Sequence, residues 1–481
     1  MAYIGDKLKD FARTMPEKTA LRCGPDIWTW RELIEEVEAA ERTISRLSPQ
    51  GGRVALLLPE SAAMLICFFA CARTGRIAMV MDPDWPEDQL ETVLKAARPD
   101  LRIDADSYAP HDSQALPQPD SNYSSGDTAP REGDLFYCGF TSGSTGTPKG
   151  YVRDHGSWLR SFELGNREFG IDPADRIVLA GQLTHSLHLY GAVCGLARGQ
   201  EVSLAARFDP RSILSSLVTA ETGAVLYATP TQLHFISEAA RRSGPLNNVV
   251  RVLASGAKWQ DSDRAALEGV FPNADLIEFY GASETSFITL SNSANTVPQG
   301  SVGKAPAGVQ IAIGDPDAPL PDCEAGEIWV KSTLLFSGYL TGDEPQTRWK
   351  NDWLSFGDHG FLDANGYLFL TGRANRMVVT SGLNVYPEEV EAVLMAHPQV
   401  AAAVVAGLED PVRGQRLEAA VQLTEPLAGA EKSLLHHCRT RLASGKVPRR
   451  IHFYRELPLT AGGKPDIQRV MADLSGSGPS V

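Results

Sequence analysis

Apolar residues in this chain fall into short continuous runs, and most runs end in small or polar residues. "RVALLLPES" reads as a buried strand, "AAMLICFFACARTG" as a core helix closed by Gly75, and "RIAMVMDPDWP" as a further strand ending in a turn. The same logic recurs at "RIVLAG", "AVLYATP", "VVRVLASG" and "LIEFYGAS". Continuous apolar strands separated by helical patterns predict an α/β fold with layered sheets and helices and a largely parallel sheet. Ligands of such sheets sit at the C-terminal ends of strands, which is where the small-residue loops fall.

The pattern changes twice. Residues 104–134 are rich in Pro, Ser and Asp and read as a surface connection, because a strand and a polar loop follow directly. From "GYLFLTGRANRMVVTSGLNVYPEEVEAVLMAHPQVAAAVVAGLED" onward, strand, polar turn, strand, helix and strand succeed one another. Pro387, Glu388 and Glu389 occupy the helix's first turn. That begins a small α+β unit of ordinary domain size. The expected organisation is a large N-terminal domain over residues 1–373, a joint at 374–376 and a small mobile C-terminal domain over 377–481, ending in the frayed tail "SGSGPSV".

At 481 residues the chain exceeds one comfortable core, which agrees with two domains. The formal net charge of −14 argues against a nucleic-acid partner and gives no reason for an anionic membrane surface, though it permits a local basic pocket. The opening "MAYIGDKLKDFARTMPEKTA" lacks a basic region followed by an apolar run, so no secretory signal is expected, and no apolar run reaches the length of a membrane span. Seven cysteines without paired spacing fit a reducing cytoplasm. Cys67 and Cys71 share a helix face, but their apolar neighbours make them core residues rather than metal ligands.

The candidate chemistry begins at "FTSGSTGTPKG", Phe140 to Gly150. Glycines that free backbone N–H groups, hydroxyl donors and one lysine suit several phosphate oxygens at once. The Walker register fails, because Pro148 precedes Lys149 and Gly150 follows it. No GxGxxG and no GxSxG elbow is present. A flexible surface hairpin has the same composition.

The loop resembles the phosphate loop of the adenylate-forming superfamily, which comprises acyl-CoA synthetases, non-ribosomal peptide adenylation domains and luciferases. Further segments are similar to that family's motifs in order: "MPEKTAL", "GRIAMVMDPDWPEDQL", His155 after the loop, "QLTHSLHLYGAV", "LASGAK", "YGASET", "GEIWVKSTLLFSGYL", "WLSFGDHGFLDANGYLFLTGR", "SGLNVYPEEVE" and "LPLTAGGKPD". The resemblance implies ATP, Mg²⁺ and coenzyme A as reactants and an acyl-adenylate as the intermediate product.

It also implies roles. Thr141, Ser142, Gly143, Ser144, Thr145, Gly146 and Lys149 would hold the β- and γ-phosphates. Glu284 would bind Mg²⁺, and Ser283, where the family more often has threonine, would keep a hydroxyl near the α-phosphate. Tyr280 would stack on adenine opposite Gly256 and Ala257. Asp358 would accept both ribose hydroxyls, with Arg373 beside it. His185 would gate the acyl pocket, which Gly281 and Ala282 would help to line. Lys464 would reach the α-phosphate and the attacking carboxylate; read alone, it is an exposed turn residue. Arg376 would be the hinge, in place of the usual Asp or Lys. Ser381, Gly382 and Leu383 would line the thiol tunnel after domain rotation.

"LTHSLHLYG" carries no aspartate to pair with a substrate ammonium, so an α-amino acid is disfavoured and a fatty, aryl or other plain carboxylic acid is expected. Three readings follow: an acyl-CoA synthetase, an enzyme loading the phosphopantetheine of a carrier protein, and a non-catalytic ATP-binding scaffold. Retention of Lys149, Glu284, Asp358, Arg373 and Lys464 together speaks against the third.

Overall fold

The computed structural model describes residues 2–59, 61–108, 128–141, 148–205, 207–241, 244–255, 261–373, 376–380, 383–410, 414–425, 429–459 and 465–476. The chain divides into two compact units: Met1–Ile311 with Val330–Pro345, and Ala312–Trp329 with Gln346–Val481. The joint expected at 374–376 falls inside the second unit, between the strands Leu368–Arg373 and Val378–Thr380.

The first unit holds two sheets. One has the spatial order Thr289–Asn292, Asp275–Tyr280, Val249–Ala254, Ala224–Ala228, Arg176–Leu179, Val202–Leu204, Thr19–Cys23 and Asp26–Thr29. The expected parallel pairing holds across its interior, and the outermost strand at each edge runs antiparallel. The other sheet runs Gly338–Thr341, Lys149–Asp154, Leu135–Thr141, Ile77–Val80, Arg53–Leu57 and Leu101–Asp104. Here the antiparallel edge is the hairpin carrying the polar loop, with the strand Gly338–Thr341 added beyond it. The apolar runs therefore form strands as expected, and the sheets are mixed because hairpins close their edges.

The helix Ser61–Arg73 is apolar on every side and buried along nearly its whole length, as its sequence requires. Cys67 and Cys71 are fully buried within it, and burial raises both thiol pKa values. The helix His155–Phe169 starts where Asp154 accepts from the Ser157 N–H at 2.7 Å, which ties the end of the loop hairpin to a rigid element. Among the described residues, no helix is long and apolar enough to cross a membrane. Residues 104–134 lie mostly outside the described residues.

The second unit contains the antiparallel hairpin Asp358–Leu362 and Leu368–Arg373. It also contains a sheet ordered Leu383–Val385, Val378–Thr380, Gly414–Leu423 and Val400–Asp410, with Arg450–Tyr454 parallel to Gly414–Leu423. The helix Pro387–Met395 packs Val390 and Leu394 against a core that includes Val378, Val405, Leu417 and Leu434. This is the α+β arrangement read from the sequence.

Candidate active site

In the first unit, the loop opens at Thr141 and closes at Lys149, which face each other across the hairpin. Ser142, Gly143, Ser144, Thr145 and Gly146 lie outside the described residues, as do Gly256, Ala257, Ser381, Gly382 and Lys464. Lys149 is buried, and its Nζ pairs with Oε2 of Glu344. Burial lowers its pKa, while Glu284 and Asp343 act the other way. A buried ammonium needs an anionic partner, and this one has carboxylates around it.

The second part is the turn after the strand Asp275–Tyr280, where Tyr280 ends the strand and Gly281, Ala282, Ser283 and Glu284 follow. Gly281 cannot be replaced cheaply, since a Cβ there would lie 1.8 Å from the Ser286 carbonyl oxygen. Thr285 is fully buried and its Oγ1 accepts from the Ala282 N–H at 2.9 Å. Ser286 sits in left-handed backbone at φ 58°, a strained conformation for a residue with a side chain.

Arg153 holds this turn in place. Its Nη1 donates to the Ser283 carbonyl at 2.8 Å, and Nη2 donates to Ser286 Oγ at 2.8 Å and to the Leu334 carbonyl at 2.5 Å. Burial brings the guanidinium pKa down to about 10, so it stays charged at neutral pH. The phenol oxygens of Tyr137 and Tyr151 lie 2.8 Å apart in the same sheet. Burial raises the Tyr151 pKa to about 12, and this phenol also bonds the Ser283 side chain.

The Ser283 and Ser186 hydroxyls are 3.1 Å apart, which joins the turn to the start of the helix Ser186–Ala197. His185 precedes that helix at its N-cap position and is exposed. Glu284 points its carboxylate to Tyr339, whose O–H donates to Oε1 at 2.9 Å, and its carbonyl accepts from the Phe336 N–H at 2.8 Å. The structure therefore links Ser283 to the helix start after His185 and Glu284 to Tyr339 by hydrogen bonds, while Lys149, paired with Glu344, lies close enough to Glu284 to feel its charge. Arg153, Tyr151, Tyr339 and Glu344 contact these residues without having been singled out from the sequence. In the sequence, Arg153 is simply a basic residue in the run "KGYVRD", and its burial shows only in the fold.

In the second unit, Asp358 and Arg373 are register partners at the base of their hairpin, and Arg373 Nε donates to Asp358 Oδ1 at 2.8 Å. The Asp358 side chain is 8% exposed and that of Arg373 60%, so the carboxylate is buried while the guanidinium reaches solvent, which screens the pair. Arg376 is not a loose linker residue. Its Nη1 meets Glu388 Oε1 at 3.0 Å, its Nη2 meets Glu391 Oε1 at 2.6 Å, and Nη2 also donates to the Val405 carbonyl at 3.1 Å. Burial opposes its charge, but Glu391 and Glu388 outweigh that and its pKa is raised. Tyr386 and His359 approach to 2.7 Å between the phenol oxygen and Nδ1. Leu383 is exposed in the hairpin that follows Val378–Thr380. Leu459 and Pro465 pair across residues 460–464.

Among the described residues, no group of three or more His, Cys, Asp and Glu side chains forms a ready-made metal cage. A lone carboxylate such as Glu284 suits a divalent cation that brings most of its ligands as phosphate oxygens and water, which is the usual habit of Mg²⁺.

Comparison with known proteins shows the family. The family model of AMP-binding enzymes matches residues 8–340, and that of the AMP-binding enzyme C-terminal domain matches residues 389–464. The chain belongs to the AMP-binding enzyme family. It is 34% identical over 473 residues to the uncharacterized acyl-CoA ligase YhfT of Bacillus subtilis, covering 95% of this chain and 96% of that protein. It is 28% identical to the 2-succinylbenzoate-CoA ligase of Geobacillus kaustophilus, covering 96% of each. The solved o-succinylbenzoate CoA synthetase of Bacillus subtilis, in complex with its acyl-adenylate intermediate, superposes with a TM-score of 0.83 at 25% identity, covering 96% of this chain and 97% of that one. The same enzyme is also known with ATP and a magnesium ion.

Proposed function

We propose that the chain is an AMP-forming acid–thiol ligase. A carboxylate oxygen attacks the α-phosphorus of ATP, the bond to the β-phosphate breaks, and pyrophosphate leaves. The thiol of coenzyme A then attacks the acyl carbonyl, the acyl–oxygen bond breaks, and AMP leaves with the thioester formed. The observation that carries this reading is the placement of buried Lys149, at the base of the polar loop, near the carboxylate of the Ser283–Glu284 turn, in a chain whose length is matched by acyl-CoA ligases.

The protein's part is positioning and charge. Lys149 and the loop receive the phosphates that depart as pyrophosphate, and Ser283 presents a hydroxyl beside the α-phosphate. Glu284, steadied by Tyr339, holds Mg²⁺, which offsets the phosphate charge when bound. Asp358 accepts the ribose hydroxyls with Arg373 beside it, and Tyr280 takes the adenine face with Gly256 and Ala257 opposite. Lys464 activates the other end, at the α-phosphate and the attacking carboxylate. His185, Gly281 and Ala282 border the acyl group.

Residues 374–376 form the hinge about which Thr380–Val385, with Ser381, Gly382 and Leu383, is exchanged for Lys464 between half-reactions. Arg376 serves it as an anchor on the helix Pro387–Met395. The acid is a plain carboxylic acid without an α-ammonium, and the acceptor is coenzyme A rather than a carrier protein, in line with relatives named as CoA ligases. Seven cysteines suit a reducing compartment, and the cytoplasm is the location this reading proposes.

The test is pyrophosphate release across a panel of fatty, aryl and amino acids, with mass spectrometry of the products formed with coenzyme A and with a carrier protein. Acid-dependent release with acyl-CoA as product is expected. Release with no acid, or acylation of the carrier protein alone, contradicts the assignment.

A further inference from the structure

The segment Gly338–Pro345 touches both Lys149, assigned to the phosphates, and Glu284, assigned to Mg²⁺. Its strand Gly338–Thr341 pairs with the strand Lys149–Asp154, setting Tyr339 opposite Tyr151 and Thr341 opposite Gly150. Tyr339 donates to Glu284, and Thr341 Oγ1 accepts from the Gly150 N–H at 3.0 Å. Gly342 then turns the chain back at φ 67°, and a Cβ there would stand 3.1 Å from Lys149 Cγ. The turn lets Glu344 reach Lys149, whose side chain is 5% exposed against 20% for Glu344.

A lysine this buried, left without a counter-ion, carries a large desolvation penalty, so a partner in the free protein is expected. The same ammonium is the group assigned to the departing pyrophosphate. One ammonium cannot give its full interaction to two anions, and a carboxylate beside a polyphosphate is repulsive. We propose that Glu344 is a placeholder anion: it holds Lys149 in position in the free enzyme, yields to the terminal phosphates of ATP, and takes the lysine back as pyrophosphate departs. Glu344 is thus a positioning residue whose cost is weaker phosphate binding and whose benefit is faster product exit. This inference rests on the assignment of Lys149 to the phosphates.

The role is distinguishable from structural support by the sign of the effect. Titration calorimetry of inorganic pyrophosphate with Mg²⁺ into the full chain, together with KM for ATP, is measured for the wild type, Glu344→Gln and Glu344→Asp. Glu344→Gln should bind pyrophosphate about tenfold more tightly and lower KM for ATP in parallel, because the competing charge is gone. Glu344→Asp, which keeps the charge, should remain near the wild type. Unchanged or weaker binding in Glu344→Gln overturns the proposal, and so does equal tightening in Glu344→Asp. A Glu344→Gln chain that folds only when pyrophosphate and Mg²⁺ are added supports the proposal, because the phosphate then supplies the counter-ion that Lys149 lacks, and one that folds under neither condition overturns it. A wild type that binds neither ATP nor pyrophosphate overturns this proposal and the assignment of Lys149 together. Wild-type binding with no gain in Glu344→Gln overturns the placeholder alone.

Discussion

The phenol O–H of Tyr339 donates to Oε1 of Glu284 across 2.9 Å, although 55 residues separate the two in sequence. The bond orients a carboxylate that would otherwise rotate about its own side chain, and it comes from the strand added outside the loop hairpin. A hydrogen bond to a charged group contributes about 1.5–3 kcal/mol. Tyr339→Phe should therefore lower the adenylation rate about tenfold and shift the Mg²⁺ dependence to higher concentration. Its melting temperature should fall by only a few degrees, with the fold intact. Pyrophosphate-release assays over a Mg²⁺ series check this.

Arg153 is the mechanical centre of the turn that carries Ser283 and Glu284. Arg153→Met would fill much of the volume but leave the Ser283 and Leu334 carbonyls without their donor. A loss of about 3 kcal/mol or more in unfolding free energy is expected. Arg153→Lys should recover only part of it, because an ammonium cannot reproduce the guanidinium fork. Denaturant titration with constant m-value is the measurement.

His155 is buried against Phe136, with ring centroids 4.7 Å apart, and its Nδ1 accepts from the Ile4 N–H at 3.0 Å. Burial pulls its pKa down from 6.5 to about 4, against the opposing pull of Asp134 and Asp154. The folded protein thus keeps the ring neutral while the unfolded chain protonates it below about pH 6.5. Its contribution is complete above pH 6.5 and is lost progressively as pH falls to about 4, a change of about 3 kcal/mol. His188, held down to about 3 by burial, acts in the same direction. His155→Gln should show a shallower loss of stability between pH 6.5 and 4 than the wild type, read as denaturation midpoints across pH.

The lysine of "AGGKPD" should separate the half-reactions. Lys464→Ala is expected to abolish pyrophosphate release while leaving thioester formation from supplied acyl-AMP largely intact. Equal loss of both steps, or normal adenylation, would contradict its assigned role.

Much of the scaffold was legible because its cues are local. The run "VVRVLA" becomes the strand Val249–Ala254, "AAMLICFFACAR" the buried helix, and "PEEVEAVLM" a helix opened by Pro387. The antiparallel edges were less legible, since pairing of Gly338–Thr341 with Lys149–Asp154 depends on partners nearly two hundred residues apart. The same physics explains the site. Motif residues such as Glu284 are reached through the resemblance of "YGASET" to a family motif, whereas Tyr339, Glu344 and Arg153 gain their meaning only from what folding places beside them. Arg376 shows the point as well: the family resemblance implies a hinge there, and only folding brings Glu388 and Glu391 to its guanidinium.

The central claim is that a carboxylate oxygen attacks the α-phosphorus of ATP. Turnover of a substrate acid labelled with oxygen-18 in its carboxylate, followed by mass spectrometry of the nucleotide product, tests it directly. The account predicts AMP carrying one labelled oxygen and unlabelled pyrophosphate. Unlabelled AMP, or label in inorganic phosphate beside ADP, would contradict it.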